Sequence, residues 1–426
     1  MKVINRKQIN AFGGINFIYQ HLDKLKFEDI LESNLPKLAT QTKYNWKDIF
    51  YSFLSIYYCG GDCIEDINTN LKSHIGENPF CKLPSADRVL DRFKELANPT
   101  FTCRTKRGIV DHQVNRNDSL TKLNIEILKK LDVFNSEELT IDYDNTIIFN
   151  EKNDSKRTYK RGKGYQPGVA TINIDNVLFV ENRNGNSDAK SFQDETLKNM
   201  FEHLKANNIK PIDNFRADAA SYQLDVIKTV SKYCKNFYIG GRNSYIEKYF
   251  KDIETWIKTT DYKGNEVFVG EINYIPFVAD KHNQSYRLVV RKRKSETKQG
   301  NLFTEDDYEY RAIITNNKDK TTLEVFEFYN QRGSMEKQFD ILKNDFGWNH
   351  MPFSNLANNQ VFLYFTAMCR NLYKHIIDSF STKYSGVASS FRMKKFIFRF
   401  IILPSNWIRA GRQKVLAIYG KLSYKT

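Results

Sequence analysis

The hydrophobic period of the chain changes near residue 136, and this change restricts the possible folds more than any other feature. From 136 to 235, segments with the two-residue period of strands alternate with segments of helical period. ELTIDYDNTIIFN and GVATINIDNVLFVENRNGN predict three strands, and SFQDETLKNMFEHLKANNI predicts an amphipathic helix after them. IDNFRADA then predicts a further strand and SYQLDVIKTVSKYC a second helix. Strands and helices in this order predict an α/β core with a mixed sheet.

The regions on either side of this core divide the chain into further parts. Residues 1–135 carry helical periodicity and predict a separate helical domain. Residues 236–322 return to strand patterns and predict a β-rich insertion. Residues 323–385 resume helix and predict the second half of the core, after which residues 386–426 form a basic C-terminal segment with a closing hairpin.

The charge balance indicates a polyanionic partner. Sixty-five Lys and Arg residues oppose fifty Asp and Glu residues, which gives a net charge of +15. Residues 379–426 contain ten basic and no acidic residues, residues 152–163 contain six basic residues against one Asp, and RKRK occupies 291–294. Because Phe, Tyr and Trp are interleaved with these runs, we expect them to follow a nucleic-acid backbone, with Arg291 and Arg293 among the contacts.

One short helix within residues 1–135 is a candidate for DNA contact. LPSADRVLDRFKELANP has Ser85 as its cap and an apolar stripe that includes Val89 and Phe93. Arg88 and Arg92 lie on its polar face, as they would on a recognition helix. Amphipathic helices with surface arginines are also common without DNA.

Other classes of protein are disfavoured by the sequence. No apolar run reaches the length of a membrane span, and MKVINRKQIN has no apolar core of a signal peptide. The six cysteines are scattered without a C-x-x-C pair, which disfavours a disulfide framework or a structural zinc site. We therefore expect a cytoplasmic protein without a membrane partner.

Three acidic residues occupy positions that an α/β core can bring together. Asp144 lies on the polar face of the first strand, Asp218 ends the strand IDNFRAD, and Glu336 lies on the helix after the insertion. A carboxylate in an apolar strand is costly unless it is paired or binds a metal. Each acid alone has a simpler explanation, such as a helix cap for Asp218. Together they suit Mg²⁺ or Mn²⁺, and two such ions can promote displacement at phosphorus.

The segment YNQRGSMEKQFDILK places charged residues at helical spacing around Glu336. Arg332, Glu336 and Lys343 are separated by four and seven positions, so a continuous helix would present them on one face. Such a stripe is either an ordinary ladder of salt bridges or a surface that holds phosphates beside a metal-binding glutamate.

The spacing of Tyr329, Arg332, Glu336 and Lys343 is the signature of DDE transposases of the insertion-sequence 4 superfamily, which this chain resembles. Four further segments resemble the insertion-sequence 1380 family within it: NTIIFNEKNDSKRTYKRGKGYQPGVATI, ENRNGNSDAKSF, FRADAASYQ and NDFGWNHMPFSN. The resemblance implies an RNase H-like core whose β-rich insertion precedes the glutamate, and an N-terminal helical DNA-binding domain. It also implies two Mg²⁺ or Mn²⁺ ions and cut-and-paste transposition through DNA cleavage and strand transfer.

The resemblance assigns roles to the acids one by one. Asp218 in RADAAS matches the second acid and Glu336 the third. The first acid is ambiguous in DYDNT, because Asp142 and Asp144 share a strand face. The superfamily aspartate stands two residues before a threonine, which favours Asp144 and leaves Asp142 as an auxiliary metal ligand.

The remaining assignments concern DNA. Arg332 and Lys343 would neutralise phosphates beside the scissile bond, and Tyr329 would add a hydroxyl contact. Trp256 in the insertion would stack on a flipped base, although a strand tryptophan is also a common core residue.

Asp188 in GNSDAKSF is an alternative for the second acid.

The resemblance also implies partners: terminal inverted repeats, target DNA and a second copy of the chain in an active homodimer, close to the nucleoid. Two other interpretations use the same features, namely an RNase H-like DNA nuclease without transposition and a DNA-binding protein without catalysis. Inverted repeats flanking the coding sequence would distinguish the transposase from both.

Overall fold

The computed structural model of the protein describes residues 9–104, 110–242, 246–261, 264–294 and 308–420. The α-helices, numbered along the chain, are α1 (Ile15–Lys24), α2 (Phe27–Asn34), α3 (Trp46–Tyr58), α4 (Lys72–Ile75), α5 (Ala86–Glu95), α6 (Asp118–Lys130), α7 (Gln193–Ala206), α8 (Leu224–Tyr233), α9 (Thr322–Asn330), α10 (Ser334–Asp345), α11 (Leu356–Lys383) and α12 (Met393–Phe396). Two π-helical turns, Ile67–Leu71 and Ile397–Ile401, adjoin α4 and α12.

The strands are β1 (Phe101–Arg104), β2 (Asp111–Asn115), β3 (Thr140–Asn145), β4 (Ile148–Phe149), β5 (Lys156–Arg157), β6 (Lys163–Tyr165), β7 (Gly168–Ile172), β8 (Asn176–Arg183), β9 (Ile212–Ala217), β10 (Cys234–Gly240), β11 (Ile257–Thr260), β12 (Glu266–Tyr274), β13 (Tyr286–Lys294), β14 (Tyr308–Thr315), β15 (Ser405–Ala410) and β16 (Gln413–Ile418). Eleven of them form one mixed sheet in the order β1-β2-β8-β7-β3-β9-β10-β14-β13-β12-β11. The predicted mixed α/β class is confirmed.

Strand β3 lies near the centre of the sheet, where the pairing of neighbouring strands changes from antiparallel to parallel. It runs parallel to β9, which runs parallel to β10, and it is antiparallel to β7, which pairs with β8 as a hairpin. Parallel neighbours end at the same edge of a sheet, so the last residues of β3 and β9 are adjacent.

Both faces of this central sheet are covered, because its strands are apolar on both sides. Val169 and Val180 belong to a hydrophobic core shared with α11 and the N-terminal helices. Ala170 and Phe179, one position along each strand, belong to a second core with α7 and α8. Neighbouring residues of a strand point to opposite faces of the sheet, so the two pairs of side chains lie in different cores.

The predicted β-rich insertion consists of strands that extend the same sheet. Strands β11 to β14 form an antiparallel series, and β14 joins it to the core by pairing with β10. A 3₁₀ segment, Glu247–Asp252, precedes them.

The N-terminal region differs from the expectation of a purely helical unit. Residues 101–104 and 111–115 are strands, and β2 continues the large sheet by pairing with the end of β8. The helices also share a core with the end of the chain: the ring centroids of Phe93 and Phe365 are 4.3 Å apart. The hydroxyl of Tyr58 donates to the carbonyl of Cys369 at 3.1 Å. Helices α3 and α5 are therefore packed against α11 in the structure.

The C-terminal segment contains α12, a π-helical turn and the hairpin of β15 and β16. Among the described residues, none of the helices is both long and apolar enough to span a membrane.

Candidate active site

Asp144 and Asp218 are brought together by the parallel pairing of β3 and β9. The register places Tyr143 opposite Ala217, so the next residue of each strand reaches the same sheet edge. Both aspartates line one cavity of about 710 Å³. The carboxylate of Asp218 accepts a hydrogen bond from the Ala220 amide at 2.9 Å, which fixes it at the start of a 3₁₀ turn.

The electrostatics of Asp144 show that the other two predicted acids lie near it. Its pKa is raised to about 6: burial is the largest cause, Arg332 opposes the rise, and the negative charges of Asp218 and Glu336 add to it. Glu336 lies in the first turn of α10 and is exposed to solvent. The charges of Asp218 and Glu336 thus both act on the carboxyl of Asp144.

Arg332 contacts Asp144 directly rather than forming a ladder along its own helix. A 3₁₀ turn, Gln331–Gly333, joins α9 to α10, so the rotation per residue changes between Arg332 and Glu336. The guanidinium of Arg332 donates to Oδ2 of Asp144 at 2.5 Å. The backbone stays right-handed helical through this turn, and Arg332 pairs with a strand residue rather than with Glu336.

Tyr329 and Lys343 bind the backbone around the same cavity. The hydroxyl of Tyr329 donates to the carbonyl of Ala217 at 3.2 Å, and burial raises the pKa of Tyr329 to about 12. The ammonium of Lys343 donates to the carbonyl of Ile147 at 2.7 Å. Burial lowers the pKa of Lys343, as does the positive charge of Lys160. Lys343 lines the cavity, so its charge is close to the acids.

Asp142 is engaged elsewhere, although it lies on the same strand face as Asp144. Both of its oxygens accept hydrogen bonds from the guanidinium of Arg216 at 2.7 Å, and both side chains are buried. Arg216 also donates to the carbonyl of Phe328 at 2.7 Å. This bidentate ion pair disfavours the auxiliary metal-ligand interpretation of Asp142, since no oxygen of Asp142 is unpaired.

Asp188, the alternative second acid, lines the same cavity but caps a turn. One of its oxygens accepts from the amide of Lys190 at 3.1 Å and from the amide and hydroxyl of Ser191 at 3.0 and 2.8 Å. These contacts are those of a structural Asx turn.

The donor set of Asp144, Asp218 and Glu336 fits a hard divalent cation, because it consists of carboxylate oxygens only. Mutual repulsion also holds the Asp144 pKa high, which a cation would relieve. The site is open: the three carboxylates are not all within 4.8 Å of one another. Among the described residues, that criterion is met by Asp62, Cys63 and Asp66, where the Asp66 carboxylate accepts from the backbone amides of the other two.

Of the two arginines predicted to contact DNA from helix α5, one is exposed and the other is paired. Arg88 is exposed on α5. Arg92 instead pairs with Glu95 at 2.5 Å and lies over the ring of Trp46 at 5.9 Å. Neither residue belongs to the lining of the cavity at Asp144, as far as the described residues show.

The predicted contacts in the insertion lie on and beside β13. Arg293 pairs with Glu309 at 3.1 Å, and Arg291 is opposite Arg311 on β14. Burial and the neighbouring arginines lower the pKa of Arg291. Trp256 precedes β11, partly buried, with the ammonium of Lys292 at 4.0 Å from its ring centroid.

Sequence reasoning missed two aromatic rings that line the acid cavity, those of Phe149 and Tyr159. Both are exposed, Phe149 by 53% and Tyr159 by 68%. Their signal was present, because Phe149 precedes the basic run at 152–163 and Tyr159 lies within it, but only the charges of this run were assigned.

Two aspartates at a sheet edge beside an arginine and a lysine are typical of active sites that act on phosphate esters. The family model described as "Transposase DDE domain group 1" matches residues 5–426, and the chain therefore belongs to this family of DDE transposases. A piggyBac transposase in a synaptic complex with hairpin DNA is a structural neighbour with a TM-score of 0.40 and 10% identity, covering 93% of this chain and 83% of that chain. No curated protein matches the sequence.

Proposed function

We propose that the protein moves an insertion sequence by binding its ends, cutting the DNA there and joining the cut ends to target DNA. The observation that supports this most is the single cavity that contains Asp144, Asp218 and Lys343, with Arg332 bonded to Asp144. The family implies a DNA-cleaving and strand-transferring enzyme. The cut-and-paste route, and membership of the insertion-sequence 1380 family, are the finer parts of the proposal.

The catalytic core is proposed to be RNase H-like. Its support is the sheet order β8-β7-β3-β9-β10, in which the first three strands in sequence form an antiparallel meander and the next two run parallel to β3. In this arrangement the first acid lies on the central strand and the second at the end of its parallel neighbour, as observed for Asp144 and Asp218.

Asp144, Asp218 and Glu336 are proposed to hold two Mg²⁺ or Mn²⁺ ions. Such ions activate a water or a 3′-hydroxyl as nucleophile and stabilise the leaving oxygen. The other residues act on the substrate. Arg332 binds a phosphate through two parallel hydrogen bonds, and Lys343 neutralises a neighbouring phosphate.

End recognition is assigned to residues 1–135 together with the acid-free tail. Arg88 is an exposed cation of α5, while Arg92 would first have to leave Glu95. Arg291, Arg293 and Trp256 in the insertion would contact the DNA near the cut. The active form would be a homodimer, acting at the nucleoid.

The test uses metal-dependent cleavage and joining of DNA that carries the element ends. Asp144→Asn, Asp218→Asn and Glu336→Gln should each abolish both reactions while leaving end binding near that of wild type. Asp188→Asn is the matched control, because this carboxylate lines the same cavity but should be dispensable for chemistry. Robust cleavage by Asp218→Asn would refute the site. Cleavage without joining in the wild type would instead favour the nuclease interpretation.

A further inference from the structure

A small basic sheet stands beside the acid cavity. Strands β4, β6 and β5 form a separate three-stranded sheet, and we call residues 148–165 the basic flap. Its segment 152–163 contains six basic residues and one aspartate. Three lysines, Lys160, Lys190 and Lys343, line the cavity next to it. The cavity therefore combines a negative metal-binding edge with a positive wall suited to phosphates.

Two aromatic rings project from this flap without the burial that aromatic rings normally have. Tyr159 lies in the turn between β5 and β6, where the Arg161 amide donates to the Thr158 carbonyl at 3.0 Å. Phe149 lies at the end of β4, over Gly162: a Cβ at Gly162 would be 2.7 Å from the Phe149 ring. Exposed rings at the mouth of a charged cavity form a surface on which bases can stack.

The flap is anchored firmly at its base, so its rings have a fixed position. The Tyr165 hydroxyl donates to the carboxylate of Asp154. The other oxygen of Asp154 accepts from the amide of Leu356 at 2.7 Å, at the start of α11. The ammonium of Lys343 binds the carbonyl of Ile147 immediately before β4. The helix that carries Glu336 thus holds the strand that carries Phe149.

We propose that Phe149 and Tyr159 form a stacking site for unpaired bases of the DNA strand that leaves the active site. The inference rests on the proposed function and deepens it by naming the residues that would contact the DNA strand as it leaves the active site. Trp256, the aromatic residue that the sequence suggests for this role, has a lysine ammonium 4.0 Å from its ring centroid and is partly buried. The flap rings are the more accessible pair, and they lie in the cavity of the acids.

The test measures binding rather than catalysis, with the full chain and without divalent metal. The probes are a blunt duplex and the same duplex with a forked 3′ single strand of five unpaired nucleotides that carries 2-aminopurine. Wild type should bind the forked DNA more tightly and change the 2-aminopurine fluorescence. Tyr159→Ala and Phe149→Ala should each weaken binding of the forked DNA by about 5- to 100-fold and leave blunt-duplex binding unchanged.

Conservative variants and controls separate stacking from other effects. Tyr159→Trp should retain the preference for forked DNA, since it keeps an aromatic face. Phe149→Leu keeps apolar packing on Gly162 and should still lose the preference. Lys160→Ala should weaken binding to both probes through its phosphate contact and preserve the fluorescence change. Val278→Ala, which shortens a side chain that is 62% exposed outside the cavity, should behave as wild type.

Two outcomes would overturn the inference: an unchanged preference for forked DNA in both alanine variants, or an equal loss of affinity for both probes. The second outcome would show a general contact with duplex DNA. Neither outcome bears on Asp218→Asn, whose cleavage assay tests the proposed function separately.

Discussion

Asp142 and Asp144 lie on the same face of β3, yet their replacement by alanine is expected to affect the protein in different ways. Asp142→Ala would leave the guanidinium of Arg216 buried without its carboxylate, and each of the two hydrogen bonds lost is 2.7 Å long. Breaking a buried ion pair by removing one partner costs about 3–5 kcal/mol. We expect a value near the lower end, because the Phe328 carbonyl still accepts from Arg216.

Asp144→Ala should change the free energy of unfolding little at pH 7. The pKa of Asp144 is raised from 3.8 to about 6, so its ionised form is disfavoured in the folded protein. Between pH 3.8 and about 6 the folded state binds more protons than the unfolded state. The stability that Asp144 contributes is therefore present at low pH and is lost as the pH rises through about 6. A rise from 3.8 to about 6 corresponds to at most about 3 kcal/mol, and it already includes the opposing effect of Arg332. We therefore expect no loss of stability when the Asp144 carboxyl is removed.

Urea unfolding at pH 7 without metal, together with calorimetric titration of Mn²⁺, separates the two roles. Asp142→Ala should unfold at lower urea, whereas Asp144→Ala should unfold near wild type and lose Mn²⁺ binding. The double variant Asp142→Leu with Arg216→Met should recover most of the stability, since it removes both buried charges. Wild-type stability of Asp142→Ala combined with loss of Mn²⁺ binding would refute the ion-pair assignment and make Asp142 a ligand.

Three further outcomes are expected. Arg332→Ala should bind Mn²⁺ about 3- to 10-fold more tightly than wild type in the absence of DNA, because the guanidinium competes for Asp144; calorimetry showing equal or weaker binding would contradict this. Lys343→Ala should give a salt dependence of cleavage shallower by about one unit, and Lys337→Ala on the exposed side of α10 should not. His21, whose pKa is lowered to about 4 by burial and by His375, should destabilise the fold as pH falls from 6.5 towards 4, because the unfolded state then binds more protons. His21→Gln should reduce that loss by about 1–2 kcal/mol in urea unfolding at pH 5, and an unchanged pH profile would exclude His21 as its source.

The parts of the fold that sequence reasoning predicts well are those with a local pattern. The strands β3, β7, β8 and β9 and the helix α7 each repeat their period for several residues, and they lie where the pattern places them. The two short strands β1 and β2 escaped prediction because four or five residues carry too little periodicity. Their pairing with β8 comes from a distant part of the chain.

In the site, too, spacings within one segment are predictable from the sequence, whereas contacts between distant segments are not. The spacing of Arg332 and Glu336 is local and was recognised, but the partner of Arg332 is Asp144, 188 residues earlier. The four-residue spacing gives no sign that Arg332 pairs with a residue of β3 rather than with Glu336. The pairing of Asp142 with Arg216 likewise needs the parallel register of two strands, which a single sequence does not specify.

The contact between Arg332 and Asp144 also explains how one residue can serve two proposed roles. In the free protein the guanidinium neutralises a carboxylate that burial and two neighbouring acids make costly to ionise. A divalent cation would supply that neutralisation more strongly, and the released guanidinium would then need another anion. The phosphates of a bound DNA strand are the anions that the positive wall of the cavity attracts. Metal and DNA would therefore bind cooperatively: each removes the cost of displacing Arg332 from Asp144, so the competent site assembles only when both are present.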